Sequence, residues 1–236
     1  MGQIVTRNQP CEKCASSDAK QIYDDGSAFC FSCKANFFAP KEGHMQQPEQ
    51  PQRDWSTKLW EVQNEFVSRG FKERNIYRQV AEHYGVKVSY DIDGNIDSHY
   101  YPYYDDDRVS GYKVRKLPKE FTSIGTVRGG LFGQQLYNGG KRLIICEGEL
   151  DAMSVQSAWY KKYKTFYPVV SVRSASSMKD LIKEREWIRN FDEVILWFDN
   201  DDAGNTATKE AIRIIGYDKV KIAKSNEKDA NSLWIK

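Results

Sequence analysis

No stretch of this sequence is apolar for the twenty or so residues that a membrane-crossing helix needs, so membrane insertion is not expected. The opening segment, Met1 to Pro10, is polar and does not read as a secretory leader. A Gly-x-x-x-x-Gly-Lys-Ser/Thr loop is missing, which excludes a motor built on that phosphate cradle. Net charge is only +2 over 236 residues, so affinity for a polyanion must come from local clusters of cations. There is no internal repeat. Cysteine is scarce, with five in the chain, and without a leader these are expected to be thiols in a reducing compartment.

Four of the five cysteines are grouped. Cys11, Cys14, Cys30 and Cys33 follow the spacing C-x2-C-x15-C-x2-C, which lets two thiolate pairs close a tetrahedron around one zinc ion. Between the pairs, Gln21-Ile22-Tyr23, the turn Asp24-Asp25-Gly26 and Ala28-Phe29 read as a hairpin that returns the second pair to the first. About forty residues cannot bury enough apolar surface to fold alone, so the metal is expected to supply the stability. A disulfide framework or unrelated thiols are the competing readings. The fifth, Cys146, lies in the apolar run Leu143-Ile144-Ile145-Cys146 and reads as a buried core thiol.

Residues 41–54 carry almost no large apolar side chains and read as a linker after a ribbon at 1–40. From Trp55 the pattern turns helical, and 72–84, with Ile76, Val80 and Tyr84 four apart, predicts a helix stopped by Gly85. Val86–Tyr90, Ser98–Tyr104 and Val109–Val114, separated by turns at Asp93-Gly94-Asn95 and Asp105-Asp106-Asp107, predict a small antiparallel meander. After Gly139-Gly140, strands at 143–146, 169–172, 194–198 and 220–223 alternate with helices at 149–162, 177–190 and 203–215. That alternation predicts a mainly parallel sheet covered on both faces. The fold class is therefore α/β, with a subdomain at 55–138 and a parallel-sheet domain at 139–236.

Ligands of such sheets sit beyond the carboxyl ends of the strands. Glu147, Gly148 and Asp151 follow one strand; Asp199 and Asp201 follow another. Oxygen ligands without a nearby histidine suit Mg2+ or Mn2+, the ions that assist phosphoryl transfer. A single aspartate there is also what a helix N-terminus favours; two acidic groups at two strand ends point to a metal site. Upstream, Arg108, Lys113, Arg115, Lys116, Lys119 and Arg128 face one acid, Glu120, within 108–128. Lys113 and Arg115 share one side of a strand and are candidates for holding phosphates, beside the alternative of a solvated strand face. Tyr100, Tyr101, Tyr103 and Tyr104 offer stacking surfaces, half of them expected in the core.

The groups Glu147-Gly148-Glu149-Leu150-Asp151 and Asp199-Asn200-Asp201 resemble the Toprim motifs of bacterial-type primases, topoisomerases and some nucleases. With the four-cysteine ribbon in front, and with Gly130-Leu131-Phe132-Gly133, Tyr137-Asn138-Gly139-Gly140-Lys141 and Lys228-Asp229-Ala230-Asn231, the chain resembles the primase half of short-tailed-phage primase–helicases from about residue 10 to 232. The mitochondrial Twinkle helicase is a more distant relative. The resemblance implies a zinc ribbon, a small α+β subdomain and a Toprim domain. It implies a DNA-dependent RNA primase that makes short primers on single-stranded DNA from nucleoside triphosphates, working in the host cytoplasm with a replicative helicase and a DNA polymerase. Glu147 is then the catalytic glutamate; Asp199 and Asp201 are Mg2+ ligands, with Asp151 and Asp229 in support. Lys113, Arg115 and Lys119 match the nucleotide- and template-binding stretch. Arg173 lies in a loop associated with phosphates. A nuclease of the same fold and a non-catalytic zinc/Toprim recombination mediator are the alternatives. Two positions depart from the family: Ser27 stands where a histidine is common after the ribbon turn, and Arg173-Ser174-Ala175-Ser176-Ser177 replaces a Gly-rich loop with histidine.

Overall fold

The computed structural model describes residues 4–14, 16–38, 54–127, 130–174 and 178–236. The chain divides into two compact units, Met1–Arg53 and Asp54–Lys236. The composition-based linker at 41–54 lies almost wholly outside the described residues, as do Arg128 and 175–177.

In the first unit, strands β1 (Ile4–Gln9), β2 (Lys20–Tyr23), β3 (Ala28–Cys30) and β4 (Asn36–Phe37) form an antiparallel sheet in sequence order. The expected hairpin is β2–β3. Its turn places Gly26 at φ +74, where a side chain would be strained. The Asp25 carboxylate accepts hydrogen bonds from the Ser27 backbone N–H (2.9 Å) and hydroxyl (2.6 Å), so the residue that departs from the family pattern is engaged within its own turn. The sequence reading missed β1, because the polar run Ile4–Gln9 buries little.

The second unit begins with α1 (Ser56–Asn64), a 3-10 turn (Lys72–Arg74) and α2 (Arg78–Tyr84). The helix expected over 72–84 is therefore shorter. Asn75 adopts φ +55, and Phe71 and Ile76 exchange backbone hydrogen bonds of 3.0 and 3.1 Å, which closes the chain on itself before the helix can start. Ile76, Val80 and Tyr84 are all buried, as their spacing implied, although Ile76 lies outside the helix. Strands β5 (Lys87–Tyr90), β6 (Ile96–Asp105), β7 (Arg108–Lys116) and β8 (Glu120–Gly125) then make a four-stranded antiparallel meander. The last strand was not expected, since its exposed Glu120, Phe121, Thr122 and Ser123 carry no apolar alternation. One face of the meander, with Tyr100, Tyr112, Val114 and Ile124, packs on Val62 of α1. The other, with Tyr101 and Tyr103, joins Val80, Tyr84 and Phe132 in a core shared with the parallel sheet.

That sheet consists of β9 (Gly140–Cys146), β10 (Val169–Ser171), β11 (Phe191–Trp197) and β12 (Val220–Ile222), all parallel, in the order β10-β9-β11-β12. Helix α3 (Glu149–Tyr163) connects β9 to β10. Helices α4 (Lys179–Lys183) and α5 (Arg185–Ile188) lead to β11, α6 (Asp202–Ile215) follows it, and α7 (Ala230–Trp234) ends the chain. Alternation along the strands divides the core. Leu143, Ile145, Val194 and Leu196 pack with Leu181, Ile188, Ala207 and Ala211 on one face; Ile144, Cys146 and Trp197 pack with Ala152 and Met153 of α3 on the other. Cys146 is fully buried, as expected. The helix expected over 177–190 is two short ones, broken at Glu184, whose side chain accepts from Gln134 Nε2 at 2.6 Å.

Two histidines report on the core. His99 stacks on Phe71 with ring centres 3.9 Å apart, and His83 stacks on Phe166 at 3.7 Å. Burial lowers each to about 4, from an ordinary value of 6.5. A depressed imidazole stabilises the fold above its unfolded value, and that contribution is lost as pH falls from 6.5 through 4. The denaturation midpoint of the wild type should therefore drop over that window. In a His83→Gln variant the same acid limb should be shallower, measured by urea unfolding at several pH values.

Candidate metal-dependent active site

The ribbon cysteines meet as their spacing implied. Cys14 and Cys30 Sγ lie 3.7 Å apart, Cys11 and Cys33 Sγ 3.8 Å, and all four sulfurs fall within 4.8 Å of one another. A zinc–sulfur bond of about 2.3 Å gives a tetrahedral edge of about 3.8 Å, which the Cys14–Cys30 and Cys11–Cys33 separations match. The Ser16 backbone N–H, with smaller contributions from the neighbouring thiols, lowers Cys14 to about 7, which makes a thiolate available near neutral pH.

In the second unit, β9 and β11 are hydrogen-bonded neighbours in a register that pairs Cys146 with Trp197. Both strands end together, so the residues that follow them meet. The Asp199 backbone N–H donates to Glu147 Oε2 at 3.2 Å. Asp201 begins α6 as its cap, accepting from Gly204 N–H through Oδ1 at 2.9 Å. Gly204 is required there: a Cβ would stand 2.1 Å from the Asp199 carbonyl oxygen, so the first turn of α6 lies directly on the Asp199 backbone. The capping and metal-ligand readings of Asp201 are thus compatible, because Oδ2 is left facing Lys228 Nζ at 4.0 Å.

The carboxyl-terminal segment closes the site from a third side. Lys228 carbonyl accepts from the Asn200 backbone N–H at 2.6 Å, and Asp229 caps α7 through Ser232 N–H at 2.6 Å. Asn231, 3% exposed, ties three segments together. Its backbone N–H donates to Asp151 Oδ1 (3.1 Å), its Nδ2 donates to Ser154 Oγ (2.9 Å) and the Arg74 carbonyl (3.2 Å), and its Oδ1 accepts from Arg74 (3.1 Å). The physical need behind Lys228-Asp229-Ala230-Asn231 is therefore to pin Asp151 and Asp229 beside Asp199. Neither α7 nor this hub was read from the sequence; the buried asparagine and the Asp-x-x-Ser cap were its traces.

The carboxylates act on one another. Burial, then Asp229, Asp199 and Glu147, push Asp151 up to about 7 against the pull of the Asn231 N–H. Burial, then Asp199 and Asp201, raise Glu147; burial, then Asp229 and Asp201, raise Asp199. Lys228 and Lys119 lower Asp199 only partly, and no ion pair to Glu147, Asp151 or Asp199 exists among the described residues. Uncompensated oxygens on converging elements are a donor set that fits a hard divalent cation. They are looser than the ribbon thiols, which form the one tight metal-type cluster among the described residues.

The basic candidates divide. Lys119 lies close enough to Asp199 to act on it. Arg115 pairs across the meander with His99, on the same side as Lys113, as strand alternation implied. Lys113 itself is not a free cation. Its Nζ donates to Glu149 Oε1 and Oε2 at 2.8 and 2.9 Å and to the Arg173 carbonyl at 2.6 Å, and Tyr103 donates to the same carboxylate at 2.7 Å. Arg173 is likewise held, by Asp180 at 2.8 and 2.6 Å. Both residues fix the meander and the loop after β10 to α3 and α4. Glu149, 4% exposed, is a functional neighbour that the sequence reading passed over; its place in Glu147-Gly148-Glu149 was the available signal.

A parallel sheet with a glutamate after one strand and Asp-x-Asp after its neighbour is the Toprim arrangement, here with a separate four-cysteine module. Comparisons agree. Residues 144–234 match the Toprim-like family. The chain is 31% identical over 98% of its length to the DNA helicase/primase of Enterobacteria phage T3, and spans 42% of that protein. It is similar to the crystallised primase fragment of the bacteriophage T7 primase-helicase, with 28% identity, 98% of this chain and 95% of that one covered, and a TM-score of 0.67. It is 32% identical to a T7 primase domain in a complex of the lagging-strand DNA polymerase with two such domains bound to an RNA/DNA hybrid and dTTP (70% and 83% covered, TM-score 0.61). The zinc-binding and RNA polymerase domains of the Aquifex aeolicus primase share the fold at 14% identity, covering 92% and 72%, with a TM-score of 0.52. The chain belongs to the Toprim primase family that includes the primase parts of the phage T3 and T7 helicase/primases.

Lys113→Met should destabilise the second unit by about 3 kcal/mol, because it leaves a buried carboxylate unpaired. Adding Glu149→Gln should restore most of that loss. Urea unfolding of the single and double variants measures it; a Lys113→Met protein as stable as wild type would show that the pair carries no structural weight.

Proposed function

We propose that the chain is a DNA-dependent RNA primase, joining nucleoside triphosphates into short RNA primers on single-stranded DNA. The observation that carries this reading is the convergence of Glu147, Asp151, Asp199 and Asp201 at the ends of β9 and β11 in a chain alike over 98% of its length to a phage helicase/primase. Mg2+ or Mn2+ held by Glu147, Asp199 and Asp201, with Asp229 in support, would stabilise charge on the entering and leaving oxygens. Zn2+ on Cys11, Cys14, Cys30 and Cys33 would hold the ribbon in the form that engages the template strand.

In the reaction, the 3′-hydroxyl oxygen of one nucleotide bonds to the α-phosphorus of the next, the bond to pyrophosphate breaks, and the hydroxyl proton leaves. Glu147, the position that matches the family's catalytic glutamate, has its Oε2 oriented by the Asp199 N–H at the strand end where the ion would be held. Asp151 is held in place beside them by the Asn231 N–H. Lys119 and Arg115 offer cations to the triphosphates at the meander edge. The T7 relative, whose primase domains associate with a polymerase while bound to an RNA/DNA hybrid, supports a further role in handing the primer to a DNA polymerase. The T3 relative, named as both helicase and primase, supports action beside a replicative helicase in the host cytoplasm. No helix among the described residues is long and apolar enough to cross a membrane.

The test is oligoribonucleotide synthesis from labelled ATP and CTP on a randomised single-stranded DNA template with Mg2+, with the products sequenced. Wild type should make short RNAs, Asp199→Ala should make at least about 100-fold less, and Cys30→Ser should lose its zinc and its template-site preference. Cleavage of DNA or RNA without synthesis would favour the nuclease; DNA binding without turnover would favour the recombination mediator.

A further inference from the structure

Residues 159–167 put five aromatic side chains and three lysines into nine positions, and no Asp or Glu occurs anywhere from 152 to 179. The segment is the last turn of α3 and the start of its connection to β10. Every residue of 161–166 is exposed, with Tyr163 at 47% and Phe166 at 39%. Cations in the last turn of a helix suit its macrodipole, which accounts for Lys161 and Lys162. It does not account for Lys164, which closes the helix at φ +57, a left-handed position that glycine occupies without strain. Nor does it account for large rings kept in water beside the lysines.

These cations rest on rings instead of acids. Lys161 Nζ lies 5.2 Å from the centre of the Trp234 ring of α7, Lys162 Nζ 5.0 Å from Tyr163 and Lys164 Nζ 5.5 Å from Tyr160. None of the three has an ion pair among the described residues. The rings are already paired with one another. Phe166 stacks on His83 at 3.7 Å and on Tyr160 at 5.3 Å, and Tyr163 packs on Trp159 at 4.3 Å. A stacking base needs a free ring face. With those faces engaged, the surface offers ring edges, which carry partial positive charge, and ammonium groups. Both attract carboxylates. The surface is also remote from the acidic site, since α3 starts at Glu149 and its 15 residues carry the chain about 20 Å away.

We propose that this end of α3 is a docking surface for an acidic segment of a partner protein. Asp or Glu side chains of that segment pair with Lys161, Lys162 and Lys164, and its aromatic or aliphatic side chains pack against Tyr163 and Phe166. Large aromatic side chains bordered by charge are what protein interfaces are built from. Complementary charge speeds the encounter and makes it sensitive to salt. The surface stands apart from the primase chemistry and does not rest on that reading.

The test pans a random dodecapeptide library displayed on phage against the wild-type protein. Enriched sequences should combine acidic with aromatic or aliphatic residues, and the synthesised peptides should bind in fluorescence anisotropy, more weakly at high salt. Lys161→Glu with Lys162→Glu and Lys164→Glu should weaken binding at least about tenfold. Arg185→Glu with Lys209→Glu and Arg213→Glu, exposed positions on α5 and α6, should not. The first variant should keep the wild-type melting curve and rate of RNA synthesis. No enrichment, enriched sequences without acidic residues, or equal binding by that variant overturns the proposal. So does dodecathymidylate bound in place of the peptides through the same lysines, which makes the face a strand surface. Self-association in sedimentation that the variant loses makes it a contact between copies, and also overturns the proposal. Synthesis lost at an unchanged melting curve assigns the face to the reaction instead. A wild type that binds these peptides but makes no RNA leaves the docking surface standing and removes the primase reading.

Discussion

The lateral pairing of β9 with β11 is the constraint on which the rest depends. It sets two strand ends side by side and thereby forces Glu147 against Asp199. Like charges gathered at neighbouring strand ends oppose the fold, and each raises the proton affinity of the others. The sheet bears this because it buries Leu143, Ile145, Val194 and Leu196 completely, at about 1.5–3 kcal/mol each. Apolar burial thus holds acidic groups where water-exposed carboxylates would separate, and the raised proton affinities of Glu147, Asp151 and Asp199 follow from that.

The two units rest on different sources of stability. The ribbon buries Cys11, Cys30 and Ala35 and exposes Val5, Phe31 and Phe38, so its order depends on four thiols and whatever they bind. The second unit has continuous apolar clusters on both faces of a sheet and needs no metal to fold. A metal held by the four thiols would make metal binding and folding one event in the ribbon; at the sheet edge the fold comes first and the acidic groups are its consequence.

Much of this was legible. The cysteine spacing, the strand–helix rhythm after Gly139 and the acidic pairs at strand ends each carry their own physical rule: the four sulfurs meet, the four strands are parallel and the acidic residues follow adjacent strands, although the helix read over 177–190 is broken at Glu184. The misses were local closures that periodicity does not encode. Ile76 continued a helical spacing, yet the Phe71–Ile76 backbone pair ended the run before the helix. Strand β8 has four exposed positions in a row, three of them polar, so no alternation marked it. Lys113 looked like a free cation because its strand position was right; only the packed structure shows Glu149 and Tyr103 waiting for it. Asn231, from a five-residue helix, became the tie between α3, α7 and the turn at Arg74 through bonds spanning up to 157 residues, which no local pattern reports.

The most direct measurement is anomalous diffraction from crystals soaked in Mn2+. The account predicts a manganese ion bound by Glu147 together with Asp199 or Asp201, in the wedge between the ends of β9 and β11. Strong anomalous density confined to other surfaces, with those carboxylates free of metal at saturating manganese, would contradict it.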